Sequence, residues 1–172
     1  MKLRKLLMNT GFVLAALFTL IPFIAADLTH QMSLSDPDCV PEGATIESAT
    51  LSLYVGTAGN ETVNVHRITA AWAENVVTWN TFAGAYDMAV EGSFLPDAAG
   101  WKTVDVTALV QDWVDGTYAN YGMLLEQGLT PHSTYRSSEY SPVEHRPMLE
   151  ICDVDSSGTV CVIIQRPGDD PD

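Results

Sequence analysis

The chain has 172 residues, 47% of them hydrophobic, with 22 acidic against 8 basic side chains and a net charge of −14. So acidic a chain repels nucleic acid, anionic lipid and other polyanions, which sets those partners aside, and its length suits a single domain. The carboxylates serve solubility first; they also supply the oxygen donors that Ca²⁺ prefers.

Lys2, Arg4 and Lys5 precede an apolar run from Gly11 to Ala26 that closes on Ile24-Ala25-Ala26. This is the pattern of a secretory signal peptide over residues 1–26. The competing reading is a retained membrane anchor, for which the run is short. No later stretch is apolar for long enough to span a bilayer, so the expectation is a secreted or cell-surface domain, free of the membrane once the signal is cut. Only Arg67, Lys102, Arg136, Arg146 and Arg166 then remain as basic residues. Cys39, Cys152 and Cys161 enter an oxidising compartment, where one pair is expected to bond. Cys152 and Cys161 flank a turn-like stretch and are candidates to meet across a hairpin, although sequence alone does not decide the pairing.

Residues 28–35, LTHQMSLS, alternate weakly and read as a first strand, broken by Asp36-Pro37-Asp38. The clearest strand is Ala44 to Val55, with Ala49, Leu51, Leu53 and Val55 on one face and Thr50, Ser52 and Tyr54 on the other. Val63 and Val65 alternate with polar neighbours in a second strand, so a hairpin over the Gly56 to Asn60 loop is the expected pairing. Trp72 and Trp79 read as separate core anchors around a turn at Glu74-Asn75, with Val76 to Trp79 extended. Two exposed tryptophans would instead make a sugar-stacking platform. Residues 81–100 are loop-like, with one possible strand at Tyr86 to Val90.

The stretch from Trp101 to Glu126 holds strand, helix, turn and strand in one pass. Val106, Leu109, Val110, Trp113 and Val114 form the apolar stripe of a short amphipathic helix, capped by Asp105 or Thr107 and ended by Gly116. A helix of two turns is not stable alone, so it must plug a sheet or the end of a sandwich. Gly122 to Glu126 is a buried strand. Thr134 to Glu139 and Met148 to Ile151 read as further strands, followed by Asp153 to Gly158 as a turn, a last apolar strand from Thr159 to Gln165, and an acidic tail.

No catalytic set emerges, and the chain is not expected to be an enzyme. His30, His66, His132 and His145 are scattered without metal-ligand spacing, no G-x-S-x-G elbow presents Ser133 or its neighbours, and carboxylates are too many for any pair to be informative. Asp153 and Asp155 with Gly158 resemble the first half of an EF-hand loop, which makes calcium the candidate ion, but the distal glutamate is missing and an Asx-rich hairpin turn explains the same residues. Arg136 and Glu139 would point to opposite faces of a strand, so Arg136 is expected to pair with a neighbouring acid or to grip a sugar carboxylate.

The segments GATIESATLSLYV, ITAAWAENVVTWN, VDVTALVQDWVDGTYANYGMLLE, YRSSE and RPMLEI occur in an order that resembles the DNRLRE, or disaggregatase-related, domain and the related family 96 carbohydrate-binding modules. The likeness covers roughly residues 31–151. It implies an all-β fold, a jelly-roll-type β-sandwich with one short helix, in secreted microbial proteins, and some relatives bind acidic polysaccharides such as alginate. Two features depart from the pattern. The family opens with one or two further strands for which little room is left here, so the expectation is an open sheet edge filled within the chain or in a neighbouring chain by the extra C-terminal strand. Five basic residues are also few for a uronate site.

The organisation expected is therefore a signal peptide at 1–26, a β-sandwich domain at 27–151, an extra hairpin strand at 152–166 and a disordered acidic tail at 167–172. The expected role is binding polysaccharide outside the cell through Arg136, Tyr135, Tyr54 and Tyr140. The alternative is a structural or adhesive subunit that binds another surface protein or itself through an open sheet edge; a polysaccharide-active enzyme comes third.

Overall fold

The computed structural model describes Val40 and residues 43–73, 76–128, 132–155 and 158–165, apart from the side chains of Trp79 and Asp155. The signal segment, the strand read at 28–35, Cys39 and the acidic tail lie outside the described residues.

Alternation builds the central strand, β1 (Thr45–Thr57), in which Ala49, Leu51, Leu53 and Val55 are all buried while Tyr54 looks outward. On one side β1 pairs antiparallel with β4 (Gly100–Asp105); on the other it meets β7 (Met148–Asp155) and the two-residue β6 (Thr134–Tyr135). β7 turns back into β8 (Gly158–Ile164), so that β4, β1, β7 and β8 run side by side in a five-stranded sheet. The second sheet has three strands in the order β3 (Gly92–Phe94), β2 (Val63–Arg67) and β5 (Met123–Gln127). Leu51, Leu53, Val65, Leu125, Leu149 and Ile151 belong to one buried cluster between the two sheets. Each such side chain contributes about 1.5–3 kcal/mol by leaving water, and the result is an all-β sandwich.

The helical stripe is buried as its spacing predicts. In the two-turn helix Thr107–Val114, Leu109, Val110, Trp113 and Val114 enter the core, together with the preceding Val106. Asp105 accepts the Thr107 N–H at 2.8 Å, and Gly116 ends the helix at φ 69. The helix also finishes the edge of β1. Beyond Thr50 the strand has no β4 partner, and there the Thr107 hydroxyl accepts the Ala49 N–H while the Gln111 carboxamide accepts from Ile46 and donates to the Ala44 carbonyl. Side chains thus replace a missing strand, and the backbone groups they bond would otherwise be orphaned. The Thr107 hydroxyl and N–H together hold the Asp105 carboxyl below its ordinary range.

Several expectations fail where long-range pairing decides. β1 and β2 do not form a hairpin but lie in different sheets. Both sides of β1 are already taken, so the connection crosses between layers, held by Gly59 N–H on the Ser133 hydroxyl and Asn60 N–H on the Pro96 carbonyl. The strand read at Tyr86 to Val90 reduces to one bridge, Ile68 to Tyr86, in a segment laid over β2. Val76 to Trp79 is not a strand; Thr78 and Thr81 exchange hydroxyl-to-amide bonds and start the single helical turn Trp79–Phe82. The strand read at Thr134 to Glu139 stops at Tyr135. The short β3, by contrast, lies in a stretch that reads as loop. Its Gly92 is needed, because a Cβ there would stand 2.6 Å from the Asp105 carbonyl oxygen where the two sheets close on each other.

Candidate functional site

The alternation that buries Leu53 and Val55 turns Tyr54 to the outer face of the larger sheet. The register places Trp101 of β4 directly opposite, and the two rings meet edge to face with centroids 5.4 Å apart. His145, in the short 3-10 turn Val143–His145, lies flat against Tyr54 at 3.9 Å. On from it, Tyr140 is 6.3 Å from His145 in a near-parallel plane, and the Arg136 guanidinium sits 4.3 Å from the centre of the Tyr140 ring. The backbone ties the far end of this row back to the sheet, since the Arg136 N–H donates to the Tyr54 carbonyl. Trp101, Tyr54, His145, Tyr140 and Arg136 thus form a continuous strip on one face.

Arg136 owes its place to a missing side chain. A Cβ on Gly56, two residues beyond Tyr54 on the same face of β1, would lie 3.4 Å from the guanidinium carbon and 3.1 Å from the Thr134 hydroxyl. The guanidinium makes no ion pair among the described residues, although the chain carries 22 acids; Arg67 and Lys102 are paired, with Asp87 and Asp97. Neither a nearby acid nor a strand neighbour takes Arg136. It is stacked on an aromatic ring with donors to spare.

The strip has the chemistry of a sugar surface. Trp101 is the most open ring, 39% exposed, and an indole face matches the apolar C–H face of a pyranose. Tyr54 has one face covered by His145 and Tyr140 one face covered by Arg136, so these two brace the row and offer phenol hydroxyls. The Arg136 fork suits vicinal hydroxyls or a carboxylate.

Of the sequence candidates, Tyr54, Tyr140 and Arg136 come together here and Tyr135 does not. Tyr135 is 8% exposed and packs edge to face on Phe94 of the opposite sheet, inside the sandwich. Burial pushes its hydroxyl up to about 12, against a weaker pull from Ser133, with which it makes no well-formed hydrogen bond. Trp101 and His145 were not legible as partners of this strip. The β1–β4 register brings in the first, and a loop without any periodic signal brings in the second.

Cys152 and Cys161 face each other in the β7–β8 register and are bonded. Asp153 is buried within β7, opposite Ile46 and Val160, and Asp155 ends the strand opposite Gly158, so the EF-hand-like spacing falls on a tight hairpin. Among the described residues no group of three or more His, Cys, Asp and Glu could hold a metal ion. His66 is buried in β2, with Nδ1 donating to the Ala89 carbonyl at 2.8 Å and Nε2 2.9 Å from a Glu126 carboxyl oxygen. Both ring nitrogens are thus engaged inside the sandwich, which keeps the imidazole out of reach of a substrate. A concavity away from the strip, lined by Ile46, Glu91, Asp105, Thr107, Ala108 and Gln111, is acidic, and the Asp105, Thr107 and Gln111 side chains in it already bond the helix and β1. Burial there raises the Glu91 carboxyl above its ordinary range.

The comparison with curated proteins finds no match. Residues 37–152, which contain the whole of the strip and both sheets up to Cys152, match Carbohydrate-binding module family 96. With two thirds of its length inside that match and an aromatic strip on the larger sheet, the chain belongs to carbohydrate-binding module family 96.

Proposed function

We propose that this protein is a secreted, non-catalytic module that holds a polysaccharide on the outer face of its larger sheet. Trp101 stacks on a sugar ring, Tyr54 and His145 fix the indole's neighbourhood, and Tyr140 presents Arg136 to the hydroxyls or carboxylate of the next residue. The observation that carries this reading is the Arg136 guanidinium, stacked on Tyr140 without an ion pair among the described residues, at the end of an aromatic row that opens to solvent at Trp101. The disulfide suits an oxidising compartment, and no helix among the described residues is long and apolar enough to cross a membrane. Calorimetric titration with a panel of neutral and uronate polysaccharides tests the proposal. At least one should bind, and Trp101→Ala and Arg136→Ala should each weaken that binding about tenfold or more at unchanged melting temperature. Binding unaffected by both changes would refute it.

A second reading, a structural subunit that assembles edge to edge, draws on β8. From Gly158 to Gln165 the strand carries no charge, and Ile163 is 58% exposed. Concentration-dependent elution in size-exclusion runs would favour this reading, and a constant monomer would remove it.

A further inference from the structure

The aromatic strip occupies only one end of the larger sheet's outer face. Two residues back along β1 from Tyr54, the register sets Ser52 between Thr103 of β4 and Met148 of β7; two residues further, it sets Thr50 between Asp105 and Glu150. Alternation with the buried Leu51, Leu53, Val104 and Leu149 turns all of these outward. Ser52 is nonetheless only 6% exposed, so its neighbours wall it in. The middle of the face is a shallow trough floored by Ser52 and Thr50, about 14 Å long from Trp101 to Asp105. Its charge has one sign. Asp105 and Glu150 are both exposed and flank Thr50, about 10 Å apart by strand spacing. Asp105 bonds the Thr107 N–H and hydroxyl through Oδ1 alone, which keeps the carboxyl ionised below its ordinary range and leaves Oδ2 to accept from elsewhere. Glu150 makes no ion pair among the described residues. No lysine or arginine points outward from β1, β4, β7 or β8, since Lys102 lies opposite Leu53 on the other face of β4 and pairs with Asp97.

We propose that the sugar chain held by the strip is neutral and runs on along this trough, with Asp105 and Glu150 selecting against uronates. The inference rests on the strip being the sugar site. Arg136 takes the unit on one side of the ring stacked on Trp101, and the units on its other side pass over Ser52 and Met148 to Thr50. There the two carboxylates accept sugar hydroxyls in charge-assisted bonds, and the Thr50 and Thr103 hydroxyls add weaker ones. A uronate unit in the same place brings a third negative charge between two that lack a counter-ion. The Arg136 guanidinium, at the Tyr54 end of the trough and beyond a Debye length of about 8 Å, does not offset them.

Calorimetric titration of the full chain tests this, with laminarin and glucomannan as neutral probes and alginate and polygalacturonate as uronate probes. A neutral probe should bind with an affinity that changes less than about twofold between low salt and about 0.5 M salt, and both uronates should bind at least about tenfold more weakly at low salt. Glu150→Gln should weaken the neutral probe about 3- to 10-fold without moving the melting temperature, and Glu150→Lys should raise uronate affinity at least about tenfold. The ratio of neutral to uronate affinity is the deciding readout, since a loss of fold lowers both together. Uronates that bind more tightly than the neutral probes would overturn the inference and leave the strip standing. So would a neutral probe whose binding is unmoved by Glu150→Gln yet lost in Trp101→Ala. If no probe binds the parent protein, the sugar site and its selectivity fall together.

Discussion

His145 lies flat on Tyr54, ring centroids 3.9 Å apart, with their planes within 25°. This contact ties the loop carrying Tyr140 and His145 to the sheet position that faces Trp101, so the two ends of the strip are mechanically one surface. His145→Ala removes an aromatic pair worth about 0.5–1.5 kcal/mol and should weaken polysaccharide binding about 2- to 10-fold, while Trp101 itself stays in place. Titration of the variant and its parent with the same polysaccharide measures this.

Gly56 makes a sharper prediction, since it touches no ligand in this account. A methyl group there crowds Arg136 and the Thr134 hydroxyl, both side-chain groups that can shift by a few tenths of an ångström. Gly56→Ala should leave the melting temperature within a few degrees of wild type and reduce binding about 3- to 10-fold by moving the guanidinium off Tyr140. A fall in stability matching the fall in binding would mean that the glycine serves the fold and not the site.

The helix offers a stability test with two levels. Trp113 is buried, and its indole N–H has no hydrogen-bond partner. Trp113→Ala should cost about 3–5 kcal/mol and Trp113→Phe under about 1.5, because phenylalanine keeps most of the volume and drops an unsatisfied donor. Gln111→Ala should cost about 1–3 kcal/mol by orphaning the Ile46 N–H and the Ala44 carbonyl. Chemical denaturation of the three variants orders them.

Tyr135 links stability to alkaline pH. Its hydroxyl is raised from 10.0 to about 12 by burial, so the folded protein holds this proton more tightly than the unfolded chain does. The stability linked to it is fully present below pH 10 and is lost as pH rises from there through 12. Tyr135→Phe should flatten the stability profile over that window and leave neutral stability nearly unchanged or slightly raised, because the hydroxyl it deletes is buried without a well-formed bond. Melting curves between pH 8 and 12 would show it.

The sequence reveals what is periodic and hides what depends on register. The alternation of Ala49, Leu51, Leu53 and Val55, the stripe of Leu109, Val110 and Trp113, and the placing of Cys152 against Cys161 are local signals, and the structure keeps them. The β1–β2 hairpin failed because alternation says that a strand has a face, not which strand lies beside it. The site divides the same way. Tyr54 declares its outward face, but Tyr135, on a neighbouring strand of the same sheet, looks equally plausible until the pairing at Val55 turns it inward. Trp101 joins Tyr54 only through a register spanning some fifty residues, and His145 arrives on a loop.

The most direct test of the account maps a bound polysaccharide by chemical-shift changes in ¹⁵N-labelled protein. The Trp101 indole N–H and the amides around Tyr54, Arg136 and Tyr140 should shift together and saturate with one affinity. Shifts gathered instead on the smaller sheet, around Arg67 and the exposed Tyr118 on which it stacks, would contradict the assignment of the site to the outer face of the larger sheet.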